Sequence, residues 1–303
     1  MSWYKDKIEA WKEIIKDTAD KTGKTELMVE RDIIQSIFLY NLSKDNKNLI
    51  FKGGTCLSKV YDIIDRFSED LDLSLRIKAT ESEKKKVYEL ILKTGKDLGL
   101  VLTNEEDIKS RYSYNKYKFE FNSLFTTNIQ NIIVETSFYQ IINDCNIKKV
   151  SSFIEKSDNK NILSNICDNL FFEMPVQTLE RTLIDKIFAI CDYYLENMRE
   201  RDSRHIYDIC KIYNNIDINE KAFIKLFNEI RIERTKHKNN PSAESKFCIN
   251  DLLKEIVETQ FYESDYNNIT TQLLYKYESY DDVIKNGVQK IIDSGIIIKC
   301  ENA

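Results

Sequence analysis

Between residues 70 and 75 the chain reads Asp-Leu-Asp-Leu-Ser-Leu, and this strict alternation leaves few options. In an extended strand successive side chains point to opposite faces. Leu71, Leu73 and Leu75 therefore share one face, and Asp70, Asp72 and Ser74 share the other. The leucine face needs a hydrophobic core beneath it. The two carboxylates then stand on the same side, with Cα atoms roughly 7 Å apart at about 3.3 Å rise per residue. Neighbouring carboxylates repel, so the pair needs a compensating cation. Mg²⁺ suits such a pair, because it takes a few carboxylates plus phosphate oxygens, and Mn²⁺ would serve in its place. Taken alone, Asp-x-Asp is a weak signal.

The flanking periodicity predicts how this strand is housed. Residues 3–20 read as an amphipathic helix with Trp3, Ile8, Trp11, Ile14 and Ile15 on one face, and a second helix covers 27–43. A short apolar run, Leu49-Ile50-Phe51, precedes Lys52-Gly53-Gly54-Thr55 and a helix over 55–65. Helix returns over 81–98. Residues 112–121 and 132–138 alternate again, with a turn between them. From about residue 178 the pattern is almost all helical, with helices expected near 178–198, 203–214, 219–232, 249–260, 265–276 and 280–294. The fold class is α+β: a unit with a small mixed sheet over 1–175, then a mostly helical unit over 176–303.

Composition narrows the function. Only seven Gly and two Pro occur in 303 residues, which leaves little room for flexible linkers. No apolar run approaches the roughly 20 residues of a membrane span, and the N-terminus lacks a signal-peptide core, so a cytoplasmic protein without membrane partners is expected. The seven cysteines, at 56, 145, 167, 191, 210, 248 and 300, form no Cys-x-x-Cys pair. Neither a zinc site nor a disulfide framework is expected, and Cys191 and Cys210 read as small apolar fillers in helices. A net charge of −5 argues against general coating of nucleic acid but leaves room for local basic patches. Two clusters stand out: Arg199, Arg201 and Arg204, then Arg231, Arg234, Lys236 and Lys238. Each reads either as a solvated helix end or as a phosphate-backbone contact.

Several residues add to the acidic strand. Gly53 and Gly54 let backbone approach a ligand closely, and a helix start favours phosphate; alternatively they form a plain turn with Thr55 as N-cap. Glu135 lies in the apolar run Ile132-Ile133-Val134-Glu135. If that strand pairs with the first, Glu135 can join Asp70 and Asp72; otherwise it sits on an exposed face. Lys186 lies beside the helical stripe of Leu183, Ile187, Ile190 and Tyr194, where a lysine must snorkel or find an anion. Arg66 could bind phosphate or pair with Glu69, and Ser68 could bind phosphate or cap the turn.

Phe51-Lys-Gly-Gly-Thr-Cys-Leu-Ser-Lys-Val-Tyr followed by Arg66-Phe-Ser-Glu-Asp-Leu-Asp-Leu resembles the signature of the AbiEii/AbiGii toxin family. These are polymerase-β-like nucleotidyltransferases, the toxins of type IV toxin–antitoxin pairs associated with abortive infection and phage defence. The matching positions are Gly53, Gly54, Thr55, Lys59, Arg66, Ser68, Asp70 and Asp72. Downstream, Glu173-Met-Pro-Val and Leu179-Glu-Arg-Thr-Leu-Ile-Asp-Lys resemble the family segment that ends in a phosphate-contacting lysine, here Lys186, with Asp185 where Glu is usual. Ser203-Arg204-His205-Ile206-Tyr207-Asp208 resembles its Arg-Asp-x-Tyr-Asp run, with His205 where Asp is commoner, so Arg204 and Asp208 alone are carried over. Asp265-Tyr266 and Tyr280-Asp-Asp fit the C-terminal helices loosely.

The resemblance implies a polymerase-β-like core and a nucleoside triphosphate (NTP) substrate. It places Asp70, Asp72, Lys186 and Asp208 as catalytic residues and Asp70 and Asp72 as metal ligands, which Glu135 would join as a third ligand if its strand pairs with theirs. Gly53, Gly54, Thr55, Lys59, Arg66, Ser68 and Arg204 would bind nucleotide. The helical unit would contribute Lys186 and Asp208 to the site. The acceptor it implies is RNA, the 3′ end of tRNA, with growth arrest as outcome and neutralisation by a cognate antitoxin encoded nearby. Two alternatives remain at this point: transfer to a protein or small molecule, and nucleotide binding without turnover.

Overall fold

The computed structural model describes residues 7–157, 172–200 and 202–303. Trp3, Cys167 and Arg201 lie outside the described residues. The chain divides into two units. The first comprises residues 1–62 and 67–177, and the second residues 63–66 and 178–303. The division thus falls at 177/178, and the short segment through Arg66 belongs with the helical unit.

In the first unit seven described strands form one mixed sheet. They are β1 (Leu49–Lys52), β2 (Asp70–Leu75), β3 (Val101–Leu102), β4 (Tyr114–Asn122), β5 (Ile129–Ser137), β6 (Cys145–Val150) and β7 (Phe172–Gln177). Their order is β3-β4-β5-β2-β1-β7-β6, so the Asp-Leu strand β2 is central. It runs antiparallel to β1 and parallel to β5. The sheet is larger than the sequence suggests. β6 carries Lys148 and Lys149 at a sheet edge, where charge discourages further pairing, and β7 contains Pro175, which breaks the usual strand signal.

Helices α1 (Ile8–Thr22), α2 (Glu26–Asp45), α4 (Glu81–Asp97) and the short α5 (Phe153–Lys156) belong to this unit. Thr25 and Thr80 cap α2 and α4, each side chain accepting from the backbone N–H three residues on. The core joins the leucine face of β2 to Phe51, Val134, Tyr117, Phe119 and Val176 of the sheet and to Ile34, Phe38, Leu42, Val87 and Ile91 of the helices. Helix α2 is buried nearly all round, polar residues Glu30, Asp32 and Gln35 included. Such a helix must supply partners for its own charges. Between β1 and β2, α3 (Gly53–Cys56) continues directly into a π-helical turn, Leu57–Tyr61.

The second unit is helical. Helix α6 (Leu179–Leu195), capped by Thr178, buries Leu183, Ile187 and Ile190. Helix α7 (Arg204–Tyr213) packs against it, and Ser203 at its start is held by Asp265 Oδ2, which accepts from Ser203 N at 3.0 Å. The π-helical turn Lys285–Gln289 crosses α7 so closely that a Cβ on Gly287 would lie 2.8 Å from Cys210 Cα. Cys191 and Cys210 are buried, as fillers should be. No helix among the described residues is long and apolar enough to cross a membrane.

Candidate active site

The register of the sheet assembles the acidic face. Asp72 is the Cα partner of Lys52 on β1 and of Glu135 on β5, and Glu135 is the partner of Lys116 on β4. One row across four strands thus reads Lys52, Asp72, Glu135, Lys116. Asp70 lies two residues from Asp72 on the same face, beside Ile133. Both aspartates are half-buried, while Leu71 and Leu73 beneath them are fully buried. The alternation read from the sequence therefore places its carboxylates outward as expected.

Gly53 closes against this face. Its φ is +77°, a left-handed conformation, and a Cβ added there would lie 1.9 Å from Asp72 Oδ2. Two requirements thus converge on glycine: a backbone angle that costs an ordinary residue about 1–2 kcal/mol, and a space that the Asp72 carboxylate already fills. Thr55 is not a helix cap. Its Oγ1 donates to the carbonyl of Asp70 at 2.6 Å and lies 3.0 Å from Ser68 Oγ, so Ser68 donates in that second contact. The threonine thereby ties the glycine turn to the start of β2. Gly53→Ala should displace the Asp72 carboxylate. We expect about a 10²-fold loss of transfer rate, the scale of an ångström misplacement, in steady-state assays of a protein that still folds. Wild-type turnover by Gly53→Ala would contradict this packing.

Glu135 stands beside Asp72 but is otherwise engaged. Lys116 Nζ donates to its Oε1 at 2.7 Å, and the Tyr114 hydroxyl also bonds to it. Burial, reinforced by Glu135, Asp72 and Asp70, pushes the Tyr114 phenol well above its ordinary range, so it remains a neutral donor. Among the described residues no three His, Cys, Asp or Glu side chains converge as a metal-binding group. Glu135, expected as the third ligand, has its carboxylate held here by a cation and a phenol. Tyr114, Lys116 and Lys52 were not picked out from the sequence, although Tyr114 and Lys116 alternate with the buried Tyr117 and Phe119 side of β4.

Lys59 is also placed differently from expectation. It is 2% exposed, and its ammonium donates to Asp32 Oδ1, to the Asp32 carbonyl at 2.9 Å and to Ser36 Oγ at 2.8 Å. Three donors meet three internal acceptors, so none is left for a nucleotide. Asp32 Oδ2 accepts from Phe153 N at 2.7 Å, and Lys156 Nζ donates to the Ser58 carbonyl at 2.6 Å. The buried pair thus pins the π-helical turn that follows the glycines.

Glu69, the alternative partner foreseen for Arg66, pairs with Arg31 at 2.8 Å. Arg66 instead lies in the second unit and grips Asp208 with two bonds, Nε to Oδ1 and Nη2 to Oδ2, both 2.7 Å. Lys186 Nζ donates to the same Oδ2 at 2.7 Å and lies 3.2 Å from His205 Nδ1. Asp208 is fully buried, and Arg66 and Lys186 nearly so. Burial disfavours the Asp208 carboxylate, yet Arg66 and Lys186 together hold its pKa well below the usual range. Two cations thus share one anion, and the buried cluster keeps a positive excess. Arg204 adds its charge to the surroundings of Lys186 and His205. Tyr207, from the same helix, accepts from Asp65 N at 3.0 Å and so helps seat the Arg66 segment.

The basic clusters resolve unequally. Arg231 donates to the carbonyls of Ala243, Glu244 and Phe247, and Arg234 pairs with Asp192 at 2.6 Å, so these two brace the fold. Arg199 bonds Asn197 Oδ1 at 3.3 Å and lies over the Phe261 ring.

The family model described as nucleotidyl transferase AbiEii toxin, type IV TA system, matches residues 37–286. Among solved structures, JHP933 from Helicobacter pylori superposes with a TM-score of 0.53 at 16% identity, covering 92% of this chain and 95% of that one. MenT4, a nucleotidyltransferase toxin from Mycobacterium tuberculosis, gives 0.52 at 14% identity, covering 94% and 89%. At such identities the likeness concerns the fold. No curated protein matches the sequence.

Proposed function

Because this chain belongs to the AbiEii family of nucleotidyltransferase toxins of type IV toxin–antitoxin systems, we propose that it transfers a nucleotide from an NTP to RNA, at the 3′ end of tRNA. The observation that carries the reading is the pair Asp70 and Asp72 on one strand face, with a left-handed glycine pressed against Asp72. Asp70 and Asp72 would hold Mg²⁺, or Mn²⁺. The donor set fits, since two half-buried carboxylates leave sites for phosphate oxygens and water. When bound, the metal would supply Lewis-acid charge at the phosphates.

In the reaction the acceptor hydroxyl oxygen bonds to the α-phosphorus, the α–β bridging bond breaks, and pyrophosphate leaves. Gly53, Gly54 and Thr55 would line the phosphates with backbone. Glu135, beside Asp72 and with lone pairs left after Lys116 and Tyr114, would take the acceptor proton. Lys186, held by Asp208 in a cation-rich cluster, would stabilise charge on the phosphates. Arg66 acts through Asp208. The cognate antitoxin and the tRNA acceptor follow from the family resemblance.

Expression without an antitoxin should slow growth, and Lys186→Ala at matched protein level should restore it. Equal arrest by Lys186→Ala would remove this lysine from the mechanism.

A further inference from the structure

His205 and Asp208 lie one helical turn apart on α7, and both face the same lysine. An ammonium has three N–H donors and no lone pair. One Lys186 donor goes to Asp208 Oδ2 at 2.7 Å and one to His205 Nδ1 at 3.2 Å. Among the described residues no third protein acceptor meets it. The imidazole nitrogen that faces an ammonium must be the unprotonated one, so His205 carries its proton on Nε2. Burial, then Lys186 and Arg204, push its pKa well below the ordinary histidine value, in keeping with a neutral ring. The ring is steadied by stacking on Tyr193, with centroids 5.9 Å apart and planes at 28°.

We propose that His205 is a positioning residue for Lys186: its Nδ1 fixes the direction of the remaining Lys186 N–H, so that the lysine is presented to a polyphosphate. This rests on the reading above that Lys186 meets the NTP phosphates. The property required of the side chain is therefore an acceptor at the Nδ1 position.

Three variants separate the acceptor's position from ring packing. In His205→Asn the side-chain oxygen is attached to Cγ, as Nδ1 is, and remains neutral. In His205→Gln the oxygen lies one bond further out, at the level of Nε2. His205→Phe keeps a ring for Tyr193 but has no acceptor. The probe is tripolyphosphate, which lacks any nucleobase, titrated calorimetrically into each full-length variant, with thermal unfolding run in parallel. His205→Asn should bind within about threefold of wild type. His205→Phe and His205→Gln should each bind about tenfold more weakly, the scale of one lost hydrogen bond to a charged group. The KM for NTP should follow the same order.

Lys186→Met provides the reference. If it binds tripolyphosphate as wild type does, the reading of Lys186 fails, and the inference with it. If Lys186→Met weakens binding while His205→Phe and His205→Gln do not, the role of His205 is overturned and that of Lys186 stands. Loss in His205→Asn equal to that in His205→Phe would reduce His205 to ring packing and overturn the proposal.

Discussion

Asp70→Asn and Asp72→Asn should each abolish nucleotide transfer, lowering the rate by about three orders of magnitude, the upper scale for removing one preorganised electrostatic contact. Both residues project from the polar side of β2, whose other side is locked in the core by Leu71 and Leu73. Amide replaces carboxylate with little change of shape, so the sheet should survive. Thermal unfolding and circular dichroism should match wild type while product formation with labelled NTP disappears. Removing one of two repelling carboxylates should if anything relax the face. Near wild-type transfer by either variant would remove that residue from the site.

Lys59→Met should have the largest effect on stability. The lysine and Asp32 form a buried ion pair, and deleting one member leaves an uncompensated charge in the core, at a cost of about 3–5 kcal/mol. That is a large share of the roughly 5–15 kcal/mol by which a domain is stable. Asp32 must also keep an acceptor for Phe153 N, so restoring neutrality calls for Asn rather than an apolar residue. The double variant Lys59→Met with Asp32→Asn should recover most of the loss in denaturant titration. If Lys59→Met unfolds at the wild-type midpoint but fails to bind nucleotide, Lys59 is a ligand-facing residue and the buried pair is wrongly assigned.

The sequence carried the local parts of this architecture well. β2 was legible because its period of two is unbroken over six residues, and α6 and α7 because each keeps an apolar stripe at helical spacing. The glycine turn was legible as a turn, but the closeness of Gly53 to Asp72 depends on β1 lying antiparallel beside β2, which spacing alone does not set. β3 has only two residues, too few for any period, and β6 and β7 lack clean alternation.

Partners distant in sequence were the least legible. Arg66 and Asp208 are 142 positions apart, and nothing local to either names the other. Arg66 therefore read as a phosphate ligand or a neighbour of Glu69. Lys59 read as a nucleotide contact because its partner Asp32 is hidden among the apolar residues of α2. Glu135 read as a third metal ligand because Lys116 is brought to it only by the β4–β5 register. His205 had no assigned role until the packing of α7 against α6 set its Nδ1 against Lys186.

Whether the group transferred is a nucleotide is decided by incubating the purified protein with total cellular RNA, Mg²⁺ and each NTP in turn, labelled at either the α- or the γ-phosphate. The predicted result is label from the α-phosphate, for at least one NTP, in a band of tRNA size that resists protease and is destroyed by ribonuclease, with the γ-label released as pyrophosphate. γ-Label in the product, or no incorporation from any NTP into RNA, protein or small molecule, would contradict the account. α-Label in a protein band would retain the chemistry and replace the acceptor.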